Sequence, residues 1–117
     1  TQQFPGVLDY IRAAASVVGA VYSSARLKKG ILPYDPDEYD RALAKIRATP
    51  ITRWNYVWEP EGARRHTGPI LELAPADIRE DALRINILDY TGLLHAAVKA
   101  VDRKVDRFAA QLAVRVA

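Results

Sequence analysis

The apolar positions along this chain change their spacing several times, and each change marks an element. From Val7 to about Tyr22, the residues Val7, Leu8, Ile11, Ala14, Ala15, Val18 and Val21 fall at near-helical spacing. Pro5 suits a helix start and Gly19 weakens the end. The stretch therefore reads either as one helix or as a helix followed by a short strand at Ala20-Val21-Tyr22. Ser23 to Tyr34 shows no period, and Gly30, Pro33 and Pro36 mark it as extended and looped. Asp37 to Ala48 then predicts an amphipathic helix, capped by Asp35 or Asp37, with Tyr39, Leu43 and Ile46 on one face. Thr49-Pro50 ends it.

Beyond that helix the period drops to two. Thr52, Trp54, Tyr56 and Trp58 alternate with Arg53, Asn55 and Val57, which predicts a strand. Glu59-Pro60-Glu61-Gly62 is a turn, and Arg65 to Leu71 reads as a second strand available to pair with the first. Pro75 to Ile78 suggests a short helical turn, and Leu83 to Ile87 one more strand.

The last stretch is the most regular. Ile87, Leu94, Val101 and Phe108 recur every seven residues, and Val98, Val105 and Leu112 recur at the same interval, offset by three or four. This is the a/d pattern of a coiled coil, continuous from Leu94 to Leu112. A helix from Leu88 to Ala117 would be about 45 Å long. The expected fold is α+β: a small antiparallel sheet with flanking helices, then a long C-terminal helix. The seam runs past every other element, so nothing sequence-local remains to cover it, and association with further copies is expected. The plainer alternative is a long amphipathic helix packed on its own domain. Valine at two a positions leans towards a dimer, but the mixed d positions leave the number of strands open.

Composition adds exclusions. With 117 residues, half hydrophobic and a quarter charged, the chain suits one folded domain with a modest core. Without cysteine there are no disulfides or thiolate metal sites. The chain lacks methionine and begins at Thr1, which reads as a fragment of a longer polypeptide. Its longest uncharged run, Ala13 to Ala25, is too short and polar for a bilayer span of about 20 residues, and Pro5 and Asp9 argue against a secretory signal. The net charge of +3 is small, and neither Arg26-Leu27-Lys28-Lys29 nor Arg64-Arg65-His66 is interleaved with aromatics, so nucleic acid is not the expected partner. Two histidines without clustered ligands make no metal site, and Asp35, Asp37, Glu38 and Asp40 lack the spacing of a calcium loop. No metal or other cofactor is expected.

The candidate chemistry lies between Tyr22 and Ile31. A serine is a poor nucleophile until a base takes its proton, and a desolvated lysine can be that base. Ser23 and Lys28 stand five residues apart in a looped segment. In that geometry Ser23 could attack the carbonyl of Tyr22, its own upstream peptide bond. Taken alone, the pair is no more than two solvated loop residues would give. His66 is a candidate oxyanion stabiliser, with a structural hydrogen bond as the plainer role. His95 sits beside the seam, and Trp54, Tyr56 and Trp58 read as sheet core before they read as a ligand platform.

The order of residues resembles the intramolecular chaperone auto-processing domain found at the C-termini of phage endosialidases, tail fibres and neck appendages, and in myelin regulatory factor. That family's signature is matched at Ser23, Arg26, Lys28 and Ile31, with Ser24 where aspartate is usual. A helix follows, then the proline-led aromatic run Pro50 to Trp58, the run Arg65-His66-Thr67-Gly68-Pro69-Ile70, and Asp89-Tyr90-Thr91-Gly92-Leu93-Leu94 before a long helix. Leu71-Glu72-Leu73 departs from the usual Ala-Gln-Glu. The resemblance covers about Val21 to Leu112. It implies a homotrimer that holds upstream fibre or spike domains in register while they fold, located in the virion or in the host cytoplasm during assembly. It also implies Ser23 as nucleophile, Lys28 as general base and a scissile bond between Tyr22 and Ser23, with Ser24, Arg26 and His66 as candidate supporting residues. Residues 1–22 would then be an upstream segment and 23–117 the chaperone domain, with its coiled coil from about 88 to 117. The partners implied are further copies of the chain and the upstream part of the same polypeptide, with no membrane. A non-enzymatic oligomerisation or adhesion module of a fibre or surface protein is the alternative.

Overall fold

The computed structural model describes residues 21–116, so the helix expected from Val7 lies almost wholly outside the described residues. The chain separates into two compact units, Thr1–Pro33 and Tyr34–Ala117. In the first, the described stretch from Val21 is exposed throughout and contains one 3-10 turn, Ala25–Leu27. Gly30 follows with φ +62°, a left-handed conformation that glycine adopts without steric cost.

The second unit opens with helix α1, Pro36–Ala48. Pro36 occupies the first helical position, where its missing N–H costs nothing and its fixed φ is already helical. Asp35 is the N-cap residue, and the Glu38 carboxylate accepts from the Asp35 backbone N–H at 3.1 Å. Acids in the first turn (Asp37, Glu38) and bases in the last (Lys45, Arg47) complement the helix dipole. At the other end Thr49 Oγ1 donates to the Lys45 carbonyl at 2.7 Å, and Pro50 prevents continuation.

Strands β1 (Thr52–Trp54) and β2 (His66–Gly68) pair antiparallel, with Thr52 opposite Gly68 and Trp54 opposite His66. Both are shorter than the alternating pattern predicts. Beyond Trp54 the Asn55 side-chain amide donates to the Arg64 carbonyl (2.9 Å), and the Tyr56 N–H turns onto the Glu59 carboxylate (2.6 Å). The Trp58 ring then lies flat on Tyr56, 4.4 Å between centroids and 8° between planes. An extended strand would hold residues i and i+2 almost 7 Å apart. A second turn at Pro60–Ala63 uses Gly62 at φ +85°. β2 gives way to 3-10 turns at Leu71–Leu73 and Ala76–Ile78, the latter as expected.

The strand expected at Leu83–Ile87 is absent; a single bridge between Arg79 and Ile85 stands in its place. The cause is local. Asp81 accepts the backbone N–H groups of Leu83 (2.9 Å) and Arg84 (2.8 Å) on one carboxylate oxygen, which withdraws the donors a ladder would need. Asn86 ends the loop by capping the next helix, its Oδ1 accepting from the Asp89 N–H at 2.8 Å.

Helix α2, Ile87–Val116, is continuous for 30 residues. Leu93, Ala96, Ala97 and Ala100 form its buried face and pack on Ala42, Leu43, Tyr39 and Ile46 of α1. Ile78 is the largest side chain sealed completely into this core, with Ala74, Ile85 and Tyr90 packed in the same cluster. The core is small and rich in alanine, with Leu43, Ile78 and Leu93 as its large buried side chains, so Ile78 carries a large share of it. Ile78→Ala is expected to destabilise the fold by about 3 kcal/mol, as a drop in urea midpoint at unchanged slope. Leu83→Ala, at an exposed position, is expected to shift it by less than about 0.5 kcal/mol.

Candidate active site and exposed seam

Between Ser23 and Lys28 the chain bends once. Ser24 is extended (φ −64°, ψ 139°) and its hydroxyl accepts the Arg26 backbone N–H at 3.2 Å. Leu27 N–H donates to the Ser24 carbonyl (3.0 Å) and Lys28 N–H to the Ala25 carbonyl (3.1 Å), closing the 3-10 turn. The turn swings Lys28 back over Ser23, and Lys28 Nζ donates to Ser23 Oγ at 2.9 Å. The two residues singled out for a nucleophile and a base are thus in direct contact, within the range a general base needs. Tyr22, on the acyl side of the expected scissile bond, is half exposed. Arg26 enters this arrangement through its backbone, and its side chain makes no hydrogen bond among the described residues.

His66 is committed elsewhere. Its Nε2 lies 2.8 Å from Glu59 Oε1, and its ring packs 4.9 Å from Trp54 and 5.2 Å from Tyr56. Of the three aromatics, Trp54 packs into the hairpin with its indole edge near Gly68, whereas Trp58 is largely solvent-exposed. No group of His, Asp or Glu able to hold a metal occurs among the described residues, and no described helix is long and apolar enough to cross a membrane.

The heptad residues stand apart from the core. Leu94, Val98, Val101, Val105, Phe108 and Leu112 are all exposed, Val98 at 66 % and Phe108 at 62 %. Successive residues of a helix are about 100° apart. The face centred on Leu93 is buried on α1, and the face centred on Leu94 is therefore open. From Val101 to Val116 no residue of α2 is buried at all. His95 is exposed too and, with Tyr34, Tyr39, Gly92 and Lys99, lines a cleft of about 190 Å³ on the unit's surface.

A family profile described as chaperone of endosialidase, Peptidase S74, matches residues 23–82, just over half of the chain. The chain belongs to this family. The match begins at Ser23 and takes in Lys28, α1 and both strands of this chaperone. Helix α2 lies beyond the matched residues, so the seam is read from its own geometry. No curated protein and no solved structure matches the chain.

Three features of the chaperone escaped the sequence reading. The Ser24 cap was legible in principle, because serine is a preferred N-cap residue. Glu59 as the partner of His66 was not, since it depends on the turn after Tyr56. The alanine face of α2 was hidden by the louder heptad beside it.

Glu59 makes the hairpin loop sensitive to acid. The Tyr56 N–H holds its carboxyl below the usual value of 4.5; burial opposes this, and the His66 ring adds to the lowering. A carboxyl depressed in the fold stabilises it above the unfolded value, and that contribution is lost as pH falls through the folded one. Tryptophan fluorescence should therefore hold steady down to about pH 4.5 and change below it. Glu59→Gln should remove that acid step.

Proposed function

We propose that this chaperone assembles as a homotrimer through α2, holds an upstream phage fibre or spike domain in register while it folds, and then frees that domain by cutting between Tyr22 and Ser23. The observation that carries the assembly is the second apolar face of α2. A heptad seam of six residues, from Leu94 to Leu112, lies open beside a face already satisfied by α1. Burying a side chain such as Phe108 in a coiled coil would contribute about 2 kcal/mol per copy, enough over six positions to drive association. The number three rests on the family, not on the heptads.

The cleavage step is supported by the Ser23–Lys28 contact. Lys28 Nζ, in its neutral form, takes the hydroxyl proton as Ser23 Oγ bonds to the Tyr22 carbonyl carbon. The Tyr22–Ser23 C–N bond then breaks, with the proton passed from Lys28 to the departing Ser23 nitrogen, leaving Tyr22 esterified to the Ser23 oxygen. Water hydrolyses that ester to a Tyr22 carboxylate and a free Ser23 hydroxyl. The enforced proximity of attacker and target supplies much of the rate. A lysine works as a base where its surroundings exclude water; both side chains are exposed in the single chain, and the trimer would supply the cover. The non-enzymatic alternative expects the two side chains to diverge into solvent, so their contact favours the cleaving reading.

Light scattering on the purified chain is expected to return three times the 13.0 kDa mass, or the corresponding processed mass. Val101→Asp with Phe108→Asp should return single chains, because six carboxylates would face each other in the seam. Mass spectrometry should find residues 1–22 separated from 23–117 in the wild type and an intact chain in Ser23→Ala and in Lys28→Ala. An unsplit wild type would leave the chaperone role without the protease.

A further inference from the structure

We propose that Ser24 is a positioning residue for the Ser23–Lys28 pair, acting as the N-cap that keeps the turn between them closed. This rests on the self-cleavage reading above and adds to it a residue that touches neither the scissile carbonyl nor the transferred proton.

The need for the turn follows from reach. Five residues of extended chain span about 17 Å, more than a serine and a lysine side chain can bridge together. Only the 3-10 turn at Ala25–Leu27 brings Lys28 Nζ to 2.9 Å from Ser23 Oγ. That turn is three residues long and buries none of them, so packing within it contributes little. Its support is a set of three hydrogen bonds: Leu27 N–H to the Ser24 carbonyl, Lys28 N–H to the Ala25 carbonyl, and Arg26 N–H to Ser24 Oγ. Ser24 is the acceptor in two of the three.

The side-chain bond is the one that substitution can remove cleanly. Serine, asparagine and aspartate all accept a backbone N–H from this position, and alanine cannot. Serine in place of the family's usual aspartate therefore keeps the acceptor and gives up only the charge. Losing a cap shifts a local equilibrium by about fivefold. The closed turn is the reactive conformer, so the cleavage rate follows its population. A cap and a carboxylate acting in the chemistry make different predictions for asparagine, which has the acceptor without the charge.

The test uses the full chain with Ser24→Ala, Ser24→Asn and Ser24→Asp, following release of residues 1–22 by mass spectrometry. It also follows exchange of the Arg26 amide by NMR in the non-cleaving Ser23→Ala background. The expected result is wild-type or faster cleavage with Asn and Asp, and an Ala variant slower by about fivefold by the same factor at every pH. Arg26 amide exchange should be faster in Ala alone by a similar factor, with assembly and helix content unchanged. Equal rates for Ala and wild type would overturn the proposal. So would an Asn variant as slow as Ala, or a slowing that depends on pH, either of which would give Ser24 a chemical role. If the wild type does not split, self-cleavage fails; the exchange arm then decides the cap by itself, and equal Arg26 exchange in Ala and wild type refutes it.

Discussion

One helix carries two apolar faces, and among the described residues only one of them is covered. The face of Leu93, Ala96, Ala97 and Ala100 meets α1 across small side chains, which lets the two helices approach closely. The face of Leu94, Val98, Val101, Val105, Phe108 and Leu112 stays exposed among the described residues. The two lie about 100° apart, so one neighbour cannot serve both. The modest core follows from this division. Much of the apolar surface that a chain of this length could use to stabilise itself is held outward, on α2 and on the hairpin loop at Val57 and Trp58. Large contiguous exposure of that kind marks an interaction surface in a folded protein.

The candidate serine-lysine pair is built with equal economy. Ser23 and Lys28 are brought together by one short turn and its hydrogen bonds, with no buried residue underneath. Such a turn stays closed only part of the time by its own strength. A site of this kind suits a reaction that happens once per chain, for which turnover exerts no demand.

The two helices and the serine-lysine segment were legible because each depends on residues close in sequence. The run from Pro36 to Thr49 carries its own start, dipole complement and stop, and the seven-residue repeat extends through nearly all of α2. The sheet was legible only in outline. Alternation from Thr52 to Trp58 looks like a strand throughout, yet the ladder ends at Trp54 because Asn55 and Glu59 draw backbone groups into a loop. Nothing in the alternation foretells that choice. Leu83 to Ile87 failed as a strand for the same kind of reason, with Asp81 claiming two amide donors. At the candidate site, the spacing of Ser23 and Lys28 allowed contact without requiring it, and the capped turn at Ser24 that lies between them has no period to announce it.

The proposed assembly and the proposed cut answer a thermodynamic problem together. Beyond Ala100 about 24 Å of α2 buries no residue among the described ones, with Arg103 over the Tyr39 ring as a lone cation-π contact, and a helix with so little packing is marginal in water. Its folding and its association are then one event, and part of the interaction energy is consumed in ordering the segment. An interface formed on those terms is reversible, which is useful while upstream strands search for their register. It is a poor way to hold a finished fibre. Hydrolysis of one peptide bond, by contrast, is not undone once the fragments part. The reversible step would select correctly aligned chains and the irreversible one would remove the scaffold, leaving the product to persist on its unfolding barrier rather than on the chaperone's affinity.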